Sequence, residues 1–527
     1  MMRFSTRTAL LLSSITILLL WLALPGGGGF WPLLAVACVP LFVSVCKGSR
    51  RQALLSGLFV GIGHFLLQLY WIVFVLGQYG GLPLFASVPA LLLLCVYMAG
   101  YFVLFVLLAR LFVQQFSPFL SLCLLPCVWV GLDWLRSFLF SGFPWMDLGY
   151  GLAGVPLLLQ SADIWGHYGL TFLIVMLNTF FTLLVLHSGE KKVMGQLAIS
   201  VGLFFVVTAF YSGWRWQQLE NGLEEAEFMN VAVVQGNVDQ GQKWNPARQG
   251  ATVRGYVAQS RLLMGQTTVP ELLVWPETAL PFYPAQHPLL DSIVHLVSGE
   301  QVMLLAGAPW YERENLRSTE INFFNSSLLF DTRGDIVART SKSHLVPFGE
   351  YVPLKRFLPF IAPLVEAVGD FSSGEIRNPP ACKKARIGVL ICFESIFGDI
   401  SRKWVDAGAN LLVNMTNDAW YGRSSAPYQT LAMTRLRAVE TRRAIVRAAN
   451  TGFSGFIDPM GRLQKLSPLF VSWEAVQRVE IREDRTIFVR GGYLFAPACF
   501  MLALAGFAGA GRMNRMNRKK WSNEYVN

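Results

Sequence analysis

Seven apolar runs crowd the first 211 residues of this chain, an eighth lies near its end, and most of what lies between is polar. The runs fall at about Ala9–Leu24, Phe30–Cys46, Ala53–Leu76, Leu84–Val113, Phe119–Leu139, Ile164–Leu186, Val193–Phe210 and Tyr493–Ala510. Stretches of this kind read as membrane spans, because about 20 helical residues cross the hydrocarbon core of a bilayer. The first two are short for full spans, which leaves a tilted or re-entrant pair open. No small-x-small site follows the first run, which argues against a cleavable signal peptide.

Basic residues orient the spans. With a cytoplasmic N-terminus, the inner segments hold Arg3, Arg7, Lys47, Arg50, Arg51, Arg110, Lys191 and Lys192, and the tail adds Arg512, Arg515, Arg518, Lys519 and Lys520. The short outer loops near Gly26–Gly29 and Gly77–Pro83 hold none. The positive-inside rule then places residues 212–490 on the far side of the membrane from the cytoplasm. The expected organisation is a membrane domain over residues 1–211, an outer domain over 212–490, a last transmembrane helix over 491–511 and a basic cytoplasmic tail over 512–527. Residues 212–490 carry 30 Lys and Arg against 28 Asp and Glu, so +9 of the net +11 belongs to the rest of the chain. That near balance argues against a nucleic-acid partner, which needs a basic patch on the soluble domain.

From Met229 onward the pattern changes. Short runs rich in Val, Ile, Leu and Ala recur at 231–234, 272–275, 302–306, 327–330, 387–391, 411–413 and 444–448. Amphipathic stretches lie between several of them, near 247–264, 289–297, 396–407 and 428–441. Apolar runs of four to eight residues suit strands buried on both faces, and alternation with helices suits a layered α/β domain. Asp331–Asp335 reads as a hairpin turn.

Three polar side chains stand out in this domain. Cys392 ends the apolar run Ile387–Ile391, Glu277 follows Trp275-Pro276 at the end of another, and Lys342 lies in a polar turn. A thiol, a carboxylate and an amine make a nucleophile with its own acid/base pair. Taken singly, each has a plainer reading: a small buried hydrophobe, a carboxylate at a helix N-terminus, and a solvated lysine. The intervals of 65 and 50 residues give no local geometry that links them. A Cys382–Cys392 disulfide is disfavoured, because a six-residue strand between them spans roughly 20 Å, while a disulfide tolerates a Cα separation of about 7 Å.

The pieces Trp275-Pro276-Glu277-Thr278-Ala279, Lys342-Ser343-His344 through Tyr351-Val352-Pro353, and Ile391-Cys392-Phe393-Glu394 resemble the nitrilase (carbon–nitrogen hydrolase) superfamily. Within it, Gln235-Gly236-Asn237 with Lys243-Trp244, the run Asn414–Gly422, and Gly142-Phe143-Pro144-Trp145 resemble the bacterial apolipoprotein N-acyltransferase branch. The resemblance implies a polytopic helical membrane domain of about eight spans in a bacterial inner membrane, plus an α-β-β-α sandwich over residues 212–490 as a catalytic domain in the periplasm. It implies Cys392 as nucleophile, Glu277 as general base and Lys342 as oxyanion stabiliser. Glu350, Glu394, Phe393 and Trp244 match supporting positions. It implies an acyl chain passed from a membrane phospholipid, through a cysteine thioester, to a diacylated apolipoprotein, without cofactor or metal. Many members carry tyrosine after the cysteine, where this chain has Phe393.

Two other activity classes stay in view. One is a membrane-tethered amidohydrolase with the same triad, which leaves eight spans unexplained. The other is a transporter or receptor, for which only Asp133, Arg136 and Asp163 offer intramembrane charge. The apolar stretch Pro353–Val368 suits either a helix packed on the core or a lid that touches the bilayer. Gly149–Gly154 fits GxGxxG but follows no strand, so it does not read as a dinucleotide site. The six histidines show no metal-binding spacing.

Overall fold

A computed structural model of the chain describes residues 4–285, 287–313, 321–351 and 370–524, with side chains to residue 513. The Pro353–Val368 stretch lies outside the described residues. The chain divides into two compact units. One comprises Met1–Val73, Leu84–Arg215 and Gly491–Asn527; the other comprises Phe74–Pro83 and Trp216–Arg490.

In the first unit, seven described helices are long and apolar enough to cross a membrane: Thr6–Ala23, Arg50–Leu69, Leu84–Gln115, Pro118–Arg136, Ala162–Leu186, Lys191–Asn221 and Gly492–Met513. The remaining apolar run, at Phe30–Cys46, is two short pieces, a 3-10 turn over Trp31–Ala35 and a helix over Val39–Lys47. A break in apolar surroundings leaves backbone groups that must find protein partners. Asn178 supplies two of them: its Oδ1 accepts from Cys38 N at 2.8 Å, and its Nδ2 donates to Leu34 O at 2.7 Å. Thr16 Oγ1 accepts from Leu41 N at 3.0 Å.

The three charges singled out from the sequence are all paired. Arg136 bonds Asp133 at 3.1 Å and also holds Asp147, whose other oxygen meets His167 Nε2 at 3.1 Å. Asp163 accepts from Arg215 at 2.8 Å and from Tyr211 at 2.7 Å. The GxGxxG stretch opens as a 3-10 turn, Leu148–Leu152, in this unit.

The second unit is a sandwich of two six-stranded sheets. Its strands are β1 (Glu227–Gln235), β2 (Leu272–Val274), β3 (Met303–Arg313), β4 (Ile321–Phe330), β5 (Ile336–Ser341), β6 (Ala381–Cys382), β7 (Ala385–Ile391), β8 (Leu411–Thr416), β9 (Ile445–Ala449), β10 (Gly455–Ile457), β11 (Leu463–Leu466) and β12 (Trp473–Ile481). The orders are β12-β1-β2-β3-β4-β5 and β11-β10-β9-β8-β7-β6. Strand periodicity builds the layers. Met229, Val231 and Val233 face the other sheet, where Ile387, Val389, Ile391 and Val413 meet them. Ala232 and Val234 face outward, toward helices Pro246–Met264 and Leu290–Glu300. Both faces are therefore apolar, as central parallel strands require. Helices Gly398–Asp406 and Ala426–Thr441 belong to the other sheet's half. The result is the α-β-β-α sandwich expected from the sequence.

Candidate active site

Four strand ends bring the site together. Glu277 lies three residues past β2, Lys342 directly past β5, Cys392 directly past β7 and Asp418 two residues past β8. Strands β7 and β8 run parallel with Ile391 opposite Met415, so Cys392 and the turn after β8 leave adjacent strands side by side. The Glu277 loop is drawn tightly onto β3. Gly307 N donates to Pro276 O at 3.2 Å, and Gly307 O accepts from Leu280 N at 3.0 Å. A Cβ on Gly307 would stand 2.7 Å from Glu277 Cα, so no larger residue fits without moving the carboxylate.

Asn325, on β4, links two carboxylates. Its Nδ2 donates to Glu277 Oε1 at 2.7 Å and to Glu350 Oε1 at 3.2 Å, while its backbone carbonyl accepts from Lys342 N at 2.8 Å. The other oxygen of Glu277 is buried and has no hydrogen-bond partner among the described residues. Lys342 Nζ meets both oxygens of Glu350, at 2.8 and 2.7 Å. Burial works against the Lys342 ammonium, but Glu350, then Cys392 and Glu277, outweigh it and hold the group above the ordinary lysine range.

Glu394 ties the lysine turn to the cysteine turn. Its Oε1 accepts from Ser343 N, Ser343 Oγ and His344 N at 2.7, 2.6 and 3.0 Å, and its Oε2 accepts from Ile391 N at 2.7 Å. Phe393 is buried and packs edge-on against Phe397 at 5.2 Å, with the His344 ring 6.2 Å away. Trp244, by contrast, is 47% exposed.

Cys392 itself sits at φ 54°, a left-handed backbone that costs a non-glycine residue about 1–3 kcal/mol. The strand stops there and the chain enters a 3-10 turn, Cys392–Ile396. The residue keeps partial exposure while it packs against the core between the two sheets. Burial and the neighbouring Glu277 push that thiol up to about 12, with Lys342 pulling the other way. All eight cysteines are free, Cys382 among them.

Four residues of the site escape a reading of the sequence for chemistry. Lys243 is buried and donates to Glu277 O at 3.1 Å. Burial brings its amine down to about 8, against the pull of Glu277 and Cys392. Asp418 accepts from Thr416 Oγ1 at 2.8 Å and from Arg447 Nη2 at 2.9 Å. Burial, then Cys392, Asp418 and Glu277, lift the Tyr421 phenol well above its usual range. Asn325 is the fourth. Its only signal is an amide in the otherwise apolar-rich run Ile321–Phe330; Lys243, Asp418 and Tyr421 lie inside the pieces that carry the family resemblance. Among the described residues no cluster of His, Cys, Asp and Glu is set to hold a metal.

A thiol held high is protonated at neutral pH and needs a base at the moment of attack. Its reaction with iodoacetamide should therefore climb about tenfold per pH unit between about pH 7 and 9, without levelling below about pH 10. Alkylation rates of Cys392, followed by peptide mass, check this. A plateau near pH 8, the behaviour of an ordinary thiol, would contradict it.

Residues 18–180 match the family described as apolipoprotein N-acyltransferase N-terminal domain, and residues 230–485 match carbon-nitrogen hydrolase. The chain is similar to an apolipoprotein N-acyltransferase of Geobacter metallireducens, with 39% identity over 93% of this chain and 92% of that protein. It is similar to one of Haemophilus ducreyi, with 30% identity over 88% and 89%. Among solved structures, an amidase from Nesterenkonia sp. AN1 aligns at 17% identity and a TM-score of 0.35, covering 50% of this chain and 95% of that one. Identity at that level to the Geobacter protein runs through both units rather than the catalytic half alone, and the chain belongs to the apolipoprotein N-acyltransferase family.

Proposed function

We propose that this enzyme moves a fatty acyl chain from a membrane phospholipid to the N-terminal amine of diacylglyceryl-cysteine in apolipoproteins, by way of a thioester on Cys392. Residues 212–490 face the periplasm in this reading, as the positive-inside pattern suggests. The observation that carries it is the convergence on Cys392 of a buried Glu277 oxygen that has no hydrogen-bond partner among the described residues and of the Lys342 amine held by Glu350.

In the first half-reaction Glu277 takes the thiol proton as sulfur attacks the ester carbonyl. The Lys342 ammonium faces the charge that develops on the carbonyl oxygen, fixed in place by Glu350 before the reaction starts. Collapse breaks the ester C–O bond, and Glu277 returns its proton to the departing glycerol oxygen, giving a lysophospholipid. In the second half-reaction the acceptor amine attacks the thioester and Glu277 takes the amine proton. Sulfur then leaves, and Cys392 recovers its proton from Glu277. A substrate pair that lives in the bilayer gives the seven apolar helices a purpose.

The test is a mass measurement. Purified protein incubated with phospholipid alone should carry a fatty-acyl adduct on the Cys392 peptide. The adduct should vanish when a diacylated lipopeptide is added, with triacylated product appearing. Cys392→Ala should form none, and Cys382→Ala should form it normally. An unmodified Cys392 together with ammonia release from small amides would replace this reading with an amidohydrolase.

A further inference from the structure

The segment Phe74–Pro83 lies in sequence between two membrane-crossing helices, Arg50–Leu69 and Leu84–Gln115, yet it packs as part of the catalytic unit. It opens as a rare π-helical turn, Val75–Tyr79, a geometry enriched at functional positions. Its aromatic side chains seize one short element, the turn Asp418–Gly422. The Tyr79 hydroxyl donates to Ala419 O at 3.2 Å, and the Tyr79 ring stands edge-on to Trp420 at 4.9 Å. Phe74 lies so close to Gly422 that a Cβ there would come within 2.7 Å of its ring. Gly422 also holds φ 58°, which favours glycine. Phe74 and Tyr79 brace each other edge-on at 5.9 Å.

That same turn borders the nucleophile. It leaves β8 beside the end of β7, and Asn414 Nδ2 donates to Leu390 O at 2.8 Å across the two strands. From below, Arg447 and Thr416 fix Asp418. We propose that Phe74 and Tyr79 are positioning residues, a clamp that holds the Asp418–Gly422 turn in place beside Cys392. The inference rests on Cys392 being the nucleophile. Neither ring touches the reacting atoms; both act through the turn. The loop between two membrane helices thereby sets the geometry of a thiol that lies more than 300 residues downstream.

The experiment uses the full chain in phospholipid–detergent micelles. Two rate constants are read per alkylatable Cys392: thioester formation with a diacyl phospholipid, and alkylation by iodoacetamide. Tyr79→Ala should slow thioester formation about tenfold or more, since small misplacements near a reacting group are costly. Tyr79→Phe keeps the ring and loses one hydrogen bond, so it should recover to within about threefold of the unaltered protein. Should Tyr79→Ala fail to accumulate, Phe74→Leu stands in for it, slowed about threefold or more. A merely structural role would lower the yield of reactive protein and leave the rate constant per site unchanged. Rates within about twofold of the unaltered protein in both Tyr79→Ala and Phe74→Leu would overturn the clamp. The alkylation rate is readable whatever Cys392 acts on, and the clamp requires Tyr79→Ala to change it. An unaltered protein that forms no thioester therefore overturns the acyl-transfer reading and leaves that second readout to decide the clamp.

Discussion

Lys342→Met should slow thioester formation on Cys392 by about a hundred- to a thousandfold, the usual cost of removing one preorganised oxyanion stabiliser. The same change should destabilise the protein by about 3 kcal/mol or more, because it strands a buried carboxylate. Among the described residues, Glu350 would keep Asn325 Nδ2 and Val346 N as donors. These two effects are separable. Adding Glu350→Gln to Lys342→Met removes the stranded charge, so the double variant should regain most of the stability and none of the rate. Thermal unfolding in detergent and single-turnover acylation measure the two. Recovery of rate in the double variant would refute the role proposed for Lys342, since it would trace the defect to the unpaired Glu350.

The second large effect is expected at Glu394, a residue that need not touch substrate. Four donors converge on its carboxylate from two separate turns. Glu394→Ala would remove the carboxylate acceptor of three backbone N–H groups, that of Ile391 buried and those of Ser343 and His344 half-buried, at up to about 1–3 kcal/mol each. A loss of about 4 kcal/mol or more is expected, with the lysine turn and the cysteine turn free to move apart. Glu394→Gln should fall between, because its amide nitrogen cannot accept from Ile391 N. A melting temperature for Glu394→Ala within about 2 °C of the unaltered protein would show that the staple contributes little.

Much of the sandwich is legible in the sequence because its central strands are apolar on both faces. Val231 and Val233 look into one core and Ala232 and Val234 into another, so the whole run is hydrophobic. β12 escapes for the opposite reason. It is an edge strand against β1, and Glu474, Gln477, Arg478 and Glu480 break its apolar run. The burial of Lys342 is equally invisible. A lysine in a polar turn looks solvated until Glu350 and Asn325, from other elements, are folded around it. The run at Phe30–Cys46 is legible in part: its shortness leaves a tilted or re-entrant segment open, but the break itself is hidden. Hydropathy counts side chains and is blind to backbone donors, so a broken helix and a continuous one look alike.

That break has a consequence for how the protein is made. The amide of Cys38 is satisfied by a side chain 140 residues further along. While the chain is being synthesised, this segment can enter the bilayer only with its break unsealed, or must wait beside the insertion machinery until Ala162–Leu186 emerges. Assembly of the first unit is thus ordered by translation, with Asn178 acting as the late piece that locks an early one.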